Sequence, residues 1–229
     1  MSELFSLEKT WGLWVKYWDK FLITGLGYTL SLAAIAVIFG TVLGALIALM
    51  RMAKFKPLNW LSGIYTGIIR GTPMLLQLYF FYFGLPKILP FLRKQQYICV
   101  AIALVCNSAA YVSEIIRSGI QAVDIGQTEA ARSLGMSQRL TMTEIILPQA
   151  VKNILPALGN EFIMLVKDTS LASTFFIGDI MTQYLQIKGA TYLSIEPLII
   201  VAIIYFVVTW LLSKLMGMLE RRMRRGDVR

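Results

Sequence analysis

Histidine is absent from this chain of 229 residues, and charged residues make up only 15% of it. Without histidine, imidazole zinc sites, histidine general bases and histidine-containing triads are excluded. Soluble domains usually carry about 25% charged residues. The shortfall, together with 57% apolar residues, excludes a disordered chain, a fibrous repeat and an ordinary soluble enzyme, and it indicates a protein of the lipid bilayer.

The two cysteines indicate neither a disulfide nor a metal site. Cys99 and Cys106 lie in one apolar stretch, two helical turns apart in sequence. On a helix that spacing separates them by about 10 Å along the axis, too far for an S–S bond. We therefore predict two small buried side chains and no metal site.

Long apolar runs predict an all-α membrane bundle of about five transmembrane helices. The first run contains no charged residue between 21 and 50, and the second is interrupted by Arg70-Gly71-Thr72-Pro73. Gly40 and Gly44 in the first run suit close helix packing, and this pattern alone indicates dimerisation only weakly. The predicted spans, which form one membrane domain over 21–219, are 21–50, 58–85, 97–119, 154–178 and 195–219.

Residues 1–20 predict an amphipathic helix at the membrane interface. Aromatic residues recur there at spacings of three and four: Trp11, Trp14, Trp18 and Phe21. Such rings prefer the boundary between lipid and water, although the stripe also fits, less well, a helix that binds a partner. Charges are mixed among these aromatics and no small-residue cleavage site follows, so a secretory signal peptide is not expected.

The distribution of lysine and arginine predicts the orientation in the membrane. In a membrane protein, the net charge of +9 belongs to cytoplasmic loops and not to a nucleic-acid surface. With the N-terminus outside, the cytoplasmic segments hold thirteen basic residues and the outer segments seven. A basic cytoplasmic tail over 220–229 directly follows the last span. We therefore expect a multi-pass protein with its N-terminus outside and its C-terminus in the cytoplasm.

The longest polar stretch, 120–152, is predicted to be a cytoplasmic loop with two short helices. Asp124 can cap the first helix, and Gly135 can terminate it. Thr141 and Glu144 have capping-box spacing for the second, which would end near Pro148. Such helices form either a docking surface for another protein or an ordinary amphipathic loop, and the residues alone favour neither.

Segments of this loop and of the spans carry a recognisable pattern. Glu129-Ala130-Ala131, Gly135 and Ile146-Leu147-Pro148 together resemble the EAA loop of permeases from ATP-binding-cassette (ABC) importers. Nearly the whole chain resembles the polar amino-acid permease family, which carries histidine, glutamate, glutamine, arginine or opines. The further segments that carry this resemblance are Ile69-Arg70-Gly71-Thr72-Pro73, Asn107-Ser108-Ala109-Ala110-Tyr111 with Glu114 and Arg117, Leu147-Pro148-Gln149-Ala150, and Lys167-Asp168-Thr169-Ser170-Leu171.

The resemblance implies a type I ABC importer permease in a bacterial inner or plasma membrane. The implied partners are cytoplasmic ATPase subunits, an extracytoplasmic amino-acid-binding protein and a second permease, either identical in a homodimer or paralogous in a heterodimer. The resemblance assigns a coupling helix, which docks into the ATPase, to Glu129, Ala130, Ala131 and Gly135. No Gly-Lys dipeptide occurs, so the chain has no phosphate-binding loop. We expect neither an enzyme nor a cofactor in this chain, with ATP used by the partner ATPase.

Polar residues at the middle of the spans are functional candidates, because a charge exposed to lipid is costly. The span midpoints place four of them at one depth: Arg70, Asn107, Lys167 and Asp168. Pro73 lacks an N–H, so the carbonyl of Ile69 loses its helical partner, and broken backbone at this depth is tolerated where it lines a cavity. Glu114 and Arg117 lie nearer the inside end, where their spacing predicts an ion pair.

A free amino acid carries a carboxylate and an ammonium group, and the mid-depth residues offer a partner for each. We expect Arg70 to meet the carboxylate and Asp168 to meet the ammonium group. The remaining candidates for the substrate pathway are Thr72, Asn107, Lys167 and Ser170. The alternative is that Arg70 and Asp168 hold the bundle by pairing with each other, or with Lys167 and Glu161.

Two other classes of function compete with the importer permease. An ion-coupled secondary transporter of small polar solutes would use the internal carboxylates for ions, but five spans do not divide into equal halves and no internal repeat is visible. A membrane enzyme would need a nucleophile with its base, or a metal set, and the sequence offers none. The importer permease is therefore the leading hypothesis.

Overall fold

The computed structural model describes residues 6–224, which contain helices and turns but no β-strand. This confirms the predicted all-α class. Two predicted segments extend beyond the described part of the chain: the interfacial helix at residues 1–5 and the basic tail at residues 225–229.

The first helical run extends from Leu7 to Met52. It comprises α1 (Leu7–Asp19), a π-helical segment (Lys20–Gly25) and α2 (Leu26–Met52). Ser6 caps α1, because its side chain accepts a hydrogen bond from the backbone N–H of Lys9 at 3.3 Å.

The predicted aromatic stripe of α1 and the residues after it has both buried and exposed members. Phe21 is fully buried, whereas 68% of Trp11 and 48% of Trp18 are exposed. Phe21 belongs to a core cluster with Ile180, Ile187 and Ile204, and α1 packs against the last helix of the chain. The position of α1 at the membrane interface stays a prediction.

The chain from Lys56 to Leu92 is divided into several elements, and the backbone breaks after Gly71. Its elements are α3 (Lys56–Gly71), α4 (Met74–Tyr79), a π-helical segment (Phe80–Gly84), α5 (Leu85–Ile88) and a 3-10 turn (Pro90–Leu92).

The remaining chain alternates long helices with short ones. Its elements are α6 (Gln96–Gln121), α7 (Ile125–Ser133), α8 (Gln138–Leu140), a π-helical segment (Thr141–Ile146), α9 (Leu147–Asp168), a 3-10 helix (Thr169–Phe175), α10 (Ile180–Thr191) and α11 (Ile195–Arg224).

Three helices of the described chain have the length and apolar composition of a membrane span: Leu7–Met52, Gln96–Gln121 and Ile195–Met223. The predicted spans 58–85 and 154–178 are not single α-helices. The first breaks at Thr72 and Pro73, and the second changes to a 3-10 helix after Asp168 and ends at Phe176, whose φ of 51° is left-handed. The number of five membrane spans therefore stays a prediction.

The core forms where α2 packs against α6. A Cβ added to Gly40 would lie 2.6 Å from the hydroxyl of Ser108, and one added to Gly44 would lie 2.8 Å from Val112. Real Cβ atoms do not approach neighbours this closely, so glycine is required at both positions. The small-residue pattern therefore serves packing within this chain. Both cysteines are free; Cys99 is buried, as predicted, whereas Cys106 is only partly buried.

The prediction of a second short helix in the loop 120–152 is wrong. Ser137, and not Thr141, caps the helix, because its hydroxyl accepts from the N–H of Leu140 at 3.3 Å. The helix then continues through the π-helical segment Thr141–Ile146 into α9. Pro148 lies at the start of α9, and the π-helical geometry before it accommodates the missing N–H and the bulk of the ring.

Candidate translocation and coupling site

The backbone break between α3 and α4 is the most irregular feature at the middle of the predicted second span. Thr72 (φ −121°, ψ 146°) and Pro73 (φ −61°, ψ 138°) are extended. Proline cannot donate the helical hydrogen bond and restricts the residue before it to extended geometry. The predicted break is therefore present, and it leaves the carbonyl of Ile69 without a helical partner.

The side chain of Gln77 satisfies that carbonyl. Its Nε2 donates to the carbonyl of Ile69 at 2.7 Å and lies 3.1 Å from the carbonyl and 3.0 Å from the hydroxyl of Thr72. Gln77 is buried, with 5% of its surface exposed. Gln77 is not among the functional residues that the sequence predicts. The available signal was one amide side chain in an otherwise apolar run, four residues after Pro73.

Asn107 supports the same arrangement from α6. Its Nδ2 donates to Oε1 of Gln77 at 2.9 Å, and the residue is buried. Asn107 and Thr72, both predicted to lie on the substrate pathway, are therefore joined through Gln77. Their side chains hold the shape of the break.

Arg70, in the last turn of α3, lies beside the break with 44% of its side chain exposed. Its Nη1 lies 3.7 Å from Oε2 of Glu114, and its guanidinium lies over the ring of Tyr111, 5.5 Å from the centroid. Among residues 6–224, no ion pair or hydrogen bond joins Arg70 to Asp168. A mutual pair of these two residues, one of the predicted alternatives, is therefore not formed.

Glu114 and Arg117 form the ion pair that their spacing predicts. Nε and Nη2 of Arg117 lie 3.1 Å and 2.7 Å from Oε2 of Glu114. Nη1 of Arg117 donates to Oε1 of Gln121 at 2.6 Å, in the last turn of α6. One carboxylate therefore faces the guanidinium groups of both Arg70 and Arg117.

The other predicted pathway residues lie at the end of α9. Lys167 is exposed, Asp168 and Ser170 are half-buried, and Glu161 is buried. Within the described chain, neither Asp168, Lys167 nor Glu161 takes part in an ion pair. Lys167 therefore acts on the carboxylate of Asp168 only from beyond ion-pair distance.

An aromatic cluster joins the 3-10 helix after Asp168 to the helices that follow the break. The ring of Phe175 stacks on Tyr82 at a centroid distance of 4.3 Å and meets the edge of Tyr79 at 5.0 Å. This contact brings the segment that carries Asp168 and Ser170 against the segment that follows Arg70 and Thr72.

The predicted coupling helix is α7, and both of its predicted ends are confirmed. Oδ1 of Asp124 accepts from the N–H of Gly126 at 2.7 Å. Gly135 has a φ of +85°, and its N–H donates to the carbonyl of Arg132 at 3.0 Å. Glycine adopts this left-handed conformation without a steric penalty.

One side of α7 faces the chain and the other side is open. Ala131 is buried where α7 packs against the π-helical segment Thr141–Ile146, whereas Glu129 and Ala130 are exposed. The apolar side chains at the two ends of the helix, Ile125 and Leu134, are 74% and 84% exposed. Both ends of α7 therefore present an apolar side chain that this chain does not cover.

Comparison with known proteins identifies one family. Residues 40–225 match the model for the binding-protein-dependent transport system inner membrane component. The chain is 42% identical over 207 residues to the arginine transport system permease protein ArtQ of Bacillus subtilis, covering 90% of this chain and 94% of that protein. It is 41% identical over 203 residues to the putative glutamine transport system permease protein GlnP of Rickettsia bellii, covering 89% and 93%.

Solved structures show the same fold. A crystal structure of an amino acid ABC transporter with histidines contains a chain that is 46% identical, with a TM-score of 0.84 over 91% of this chain and 96% of that one. A chain of the MetNI methionine ABC transporter is 18% identical, with a TM-score of 0.69 over 96% and 100%. The second likeness concerns the fold alone.

Proposed function

Because the chain belongs to the family of binding-protein-dependent transport system inner membrane components, we propose that it is the permease subunit of a bacterial ABC importer for polar amino acids. Relatives named for arginine and glutamine transport support this class of substrate. The observation that carries the proposal is α7, a capped helix outside the three candidate spans with exposed apolar ends. Such a helix fits a docking role towards a separate ATPase.

The coupling role of α7 follows from its two sides. The exposed residues Glu129 and Ala130 face the ATPase, Ala131 anchors the helix to the permease, and Gly135 closes its end. The π-helical segment under Ala131 continues into α9, which ends at Asp168. The continuous helical run from Gln138 to Asp168 is about 45 Å long at 1.5 Å per residue. A displacement of α7 by the ATPase would therefore pass along one helix to the substrate pathway.

The substrate pathway runs between the break and the end of α9. Arg70 binds the carboxylate of the amino acid, because its contact with Glu114 is long, at 3.7 Å, and leaves its guanidinium 44% exposed. Asp168 binds the ammonium group, because its carboxylate forms no ion pair within the described chain. Lys167 and Ser170, which flank Asp168 at the end of α9, border the substrate pathway on the side opposite the break. Thr72 and Asn107 act through Gln77, which keeps the backbone at the break open.

The remaining components are supplied by partners. Two cytoplasmic ATPase subunits bind and hydrolyse ATP, and an extracytoplasmic binding protein delivers the amino acid. A second permease, identical or paralogous, completes the path. The protein lies in the bacterial inner or plasma membrane with its N-terminus outside and its C-terminus in the cytoplasm, an orientation supported by the excess of lysine and arginine on the cytoplasmic side.

Uptake into sealed vesicles tests the proposal. The vesicles contain the permease, its ATPase partner and ATP, with labelled L-arginine or L-glutamine and the binding protein outside and with all ion gradients collapsed. We expect uptake that requires ATP and is reduced by Glu129→Lys on the exposed side of α7. Uptake that follows an ion gradient and ignores ATP would instead indicate a secondary transporter.

A further inference from the structure

Glu114 is shared unequally between two arginines. Arg117 holds Oε2 with two donors at 2.7 Å and 3.1 Å, whereas Arg70 approaches the same oxygen only to 3.7 Å. Hydrogen bonds between charged groups strengthen as they shorten below 3 Å. Most of the attraction of this carboxylate is therefore taken by Arg117.

Because Glu114 is bound mainly by Arg117, the positive charge of Arg70 is only partly neutralised and its N–H donors are not used within the described part of the chain. The two guanidinium groups within 4 Å of Glu114 carry one positive charge more than that carboxylate neutralises, since arginine stays protonated in proteins. The more distant Arg51 adds to this excess. Arg117 uses a third donor on Gln121. Arg70 makes no hydrogen bond to any of residues 6–224 and remains 44% exposed beside the break. Its guanidinium is therefore the member of the cluster that is available to an external anion.

We propose that Arg117 is a positioning residue that sets the affinity for the carboxylate of the substrate. By binding Glu114, Arg117 prevents that carboxylate from closing onto Arg70. This inference rests on the proposed function, in which Arg70 receives the amino acid's carboxylate.

The physical reason is competition within one site. Without Arg117, the carboxylate of Glu114 would lie 3.7 Å from Arg70 with no stronger partner. A tethered carboxylate at that distance has an effective concentration in the millimolar range or above. It would compete with the substrate for the donors of Arg70, and substrate would bind more weakly.

A purely structural role for Arg117 gives a different expectation. In that case Arg117 only ties Glu114 to Gln121 at the end of α6, and removal of Glu114 as well would further damage the fold. Under the proposed role, removal of Glu114 abolishes the competitor and restores binding. The double variant therefore separates the two possibilities.

Equilibrium binding of labelled L-arginine and L-glutamine to the assembled permease–ATPase complex in detergent micelles measures the effect. We expect Arg117→Gln to weaken binding of the transported amino acid about tenfold, a change of about 1.4 kcal/mol. The double variant Arg117→Gln with Glu114→Gln should return to within about twofold of the wild type. Glu114→Gln alone should bind at least as tightly as the wild type. Arg93→Gln, an exposed arginine far from the cluster in sequence, is the matched control and should leave binding unchanged.

L-argininamide and L-glutaminamide, which lack the carboxylate, provide a second readout. In the wild type, the amide should bind much more weakly than the amino acid, and Arg117→Gln should reduce that preference about tenfold. An unchanged preference would overturn the inference.

Three further results would overturn the inference: unchanged binding in Arg117→Gln, a double variant as weak as Arg117→Gln alone, or weakened binding in Glu114→Gln. Binding by Glu114→Gln still tests the inference if Arg117→Gln does not assemble. If the wild-type complex binds neither amino acid and shows no ATP-dependent uptake, the proposed function itself fails. Unchanged binding in the variants of a transporting wild type refutes only the role of Arg117.

Discussion

Replacement of Gln77 by leucine should destabilise the permease at the backbone break. Leucine has a similar size but removes the amide that bonds to the carbonyl of Ile69 at 2.7 Å and accepts from Asn107 at 2.9 Å. The buried amide of Asn107 and the half-buried carbonyl of Ile69 lose a partner, and each unsatisfied group costs about 1 to 3 kcal/mol. We therefore expect a loss of about 3 kcal/mol, which for a chain of this size corresponds to a fall of roughly 6 to 12 °C in the unfolding midpoint.

Thermal unfolding of the purified permease in detergent micelles measures this loss. Gln186→Leu, which changes an exposed glutamine of α10, is the control and should shift the midpoint by no more than about 2 °C. The double variant Gln77→Leu with Asn107→Leu removes the orphaned amide of Asn107 as well. Its cost should therefore be smaller than the sum of the two single costs by about 1 kcal/mol. Additive costs, or a wild-type midpoint in Gln77→Leu, would refute the assignment of Gln77 as the support of the break.

The other predictions concern the coupling helix, the core and the substrate charges. Position 135 has a left-handed φ, which costs about 1 to 2 kcal/mol for a residue with a Cβ. The Gly135→Leu permease should therefore insert normally but lose ATPase association in a pull-down and lose uptake. Wild-type uptake with full association would contradict the coupling role. Gly40→Leu should cost about 3 kcal/mol through overpacking against α6. Gly12→Leu, at a position with open space around it, should not lower the unfolding midpoint, because leucine favours a helix more than glycine does. Equal midpoints in the two variants would show that α2 and α6 do not meet this closely. Arg70→Ala and Asp168→Asn should each reduce uptake at least tenfold in an assembled transporter, because one charged end of the substrate loses its partner; wild-type uptake in either would remove that residue from the pathway.

The sequence alone determined the features that depend on neighbours within a few residues. A cap needs one acceptor next to free backbone N–H groups, so Asp124 marks the start of α7, and a left-handed turn favours glycine, so Gly135 marks its end. Proline removes a donor wherever it stands, so Pro73 predicts the break. The ion pair of Glu114 and Arg117 follows from helical spacing in the same way. The family pattern also lies in local segments, and this explains why the class of protein was predictable before the fold was known.

Only the tertiary structure decided which distant groups meet. Gln77 and Asn107 are thirty residues apart in sequence, and nothing local shows that one amide supports the other. The ion pair between Arg70 and Glu114 replaces the pairing with Asp168 that depth alone suggested, because depth fixes one coordinate and leaves the direction around each helix open. The continuation of α8 into α9 depends in the same way on packing, since the capping pattern at Thr141 is overridden where the π-helical segment is held against α7. The local sequence determines which backbone conformations have a low free energy, and contacts between helices select among them.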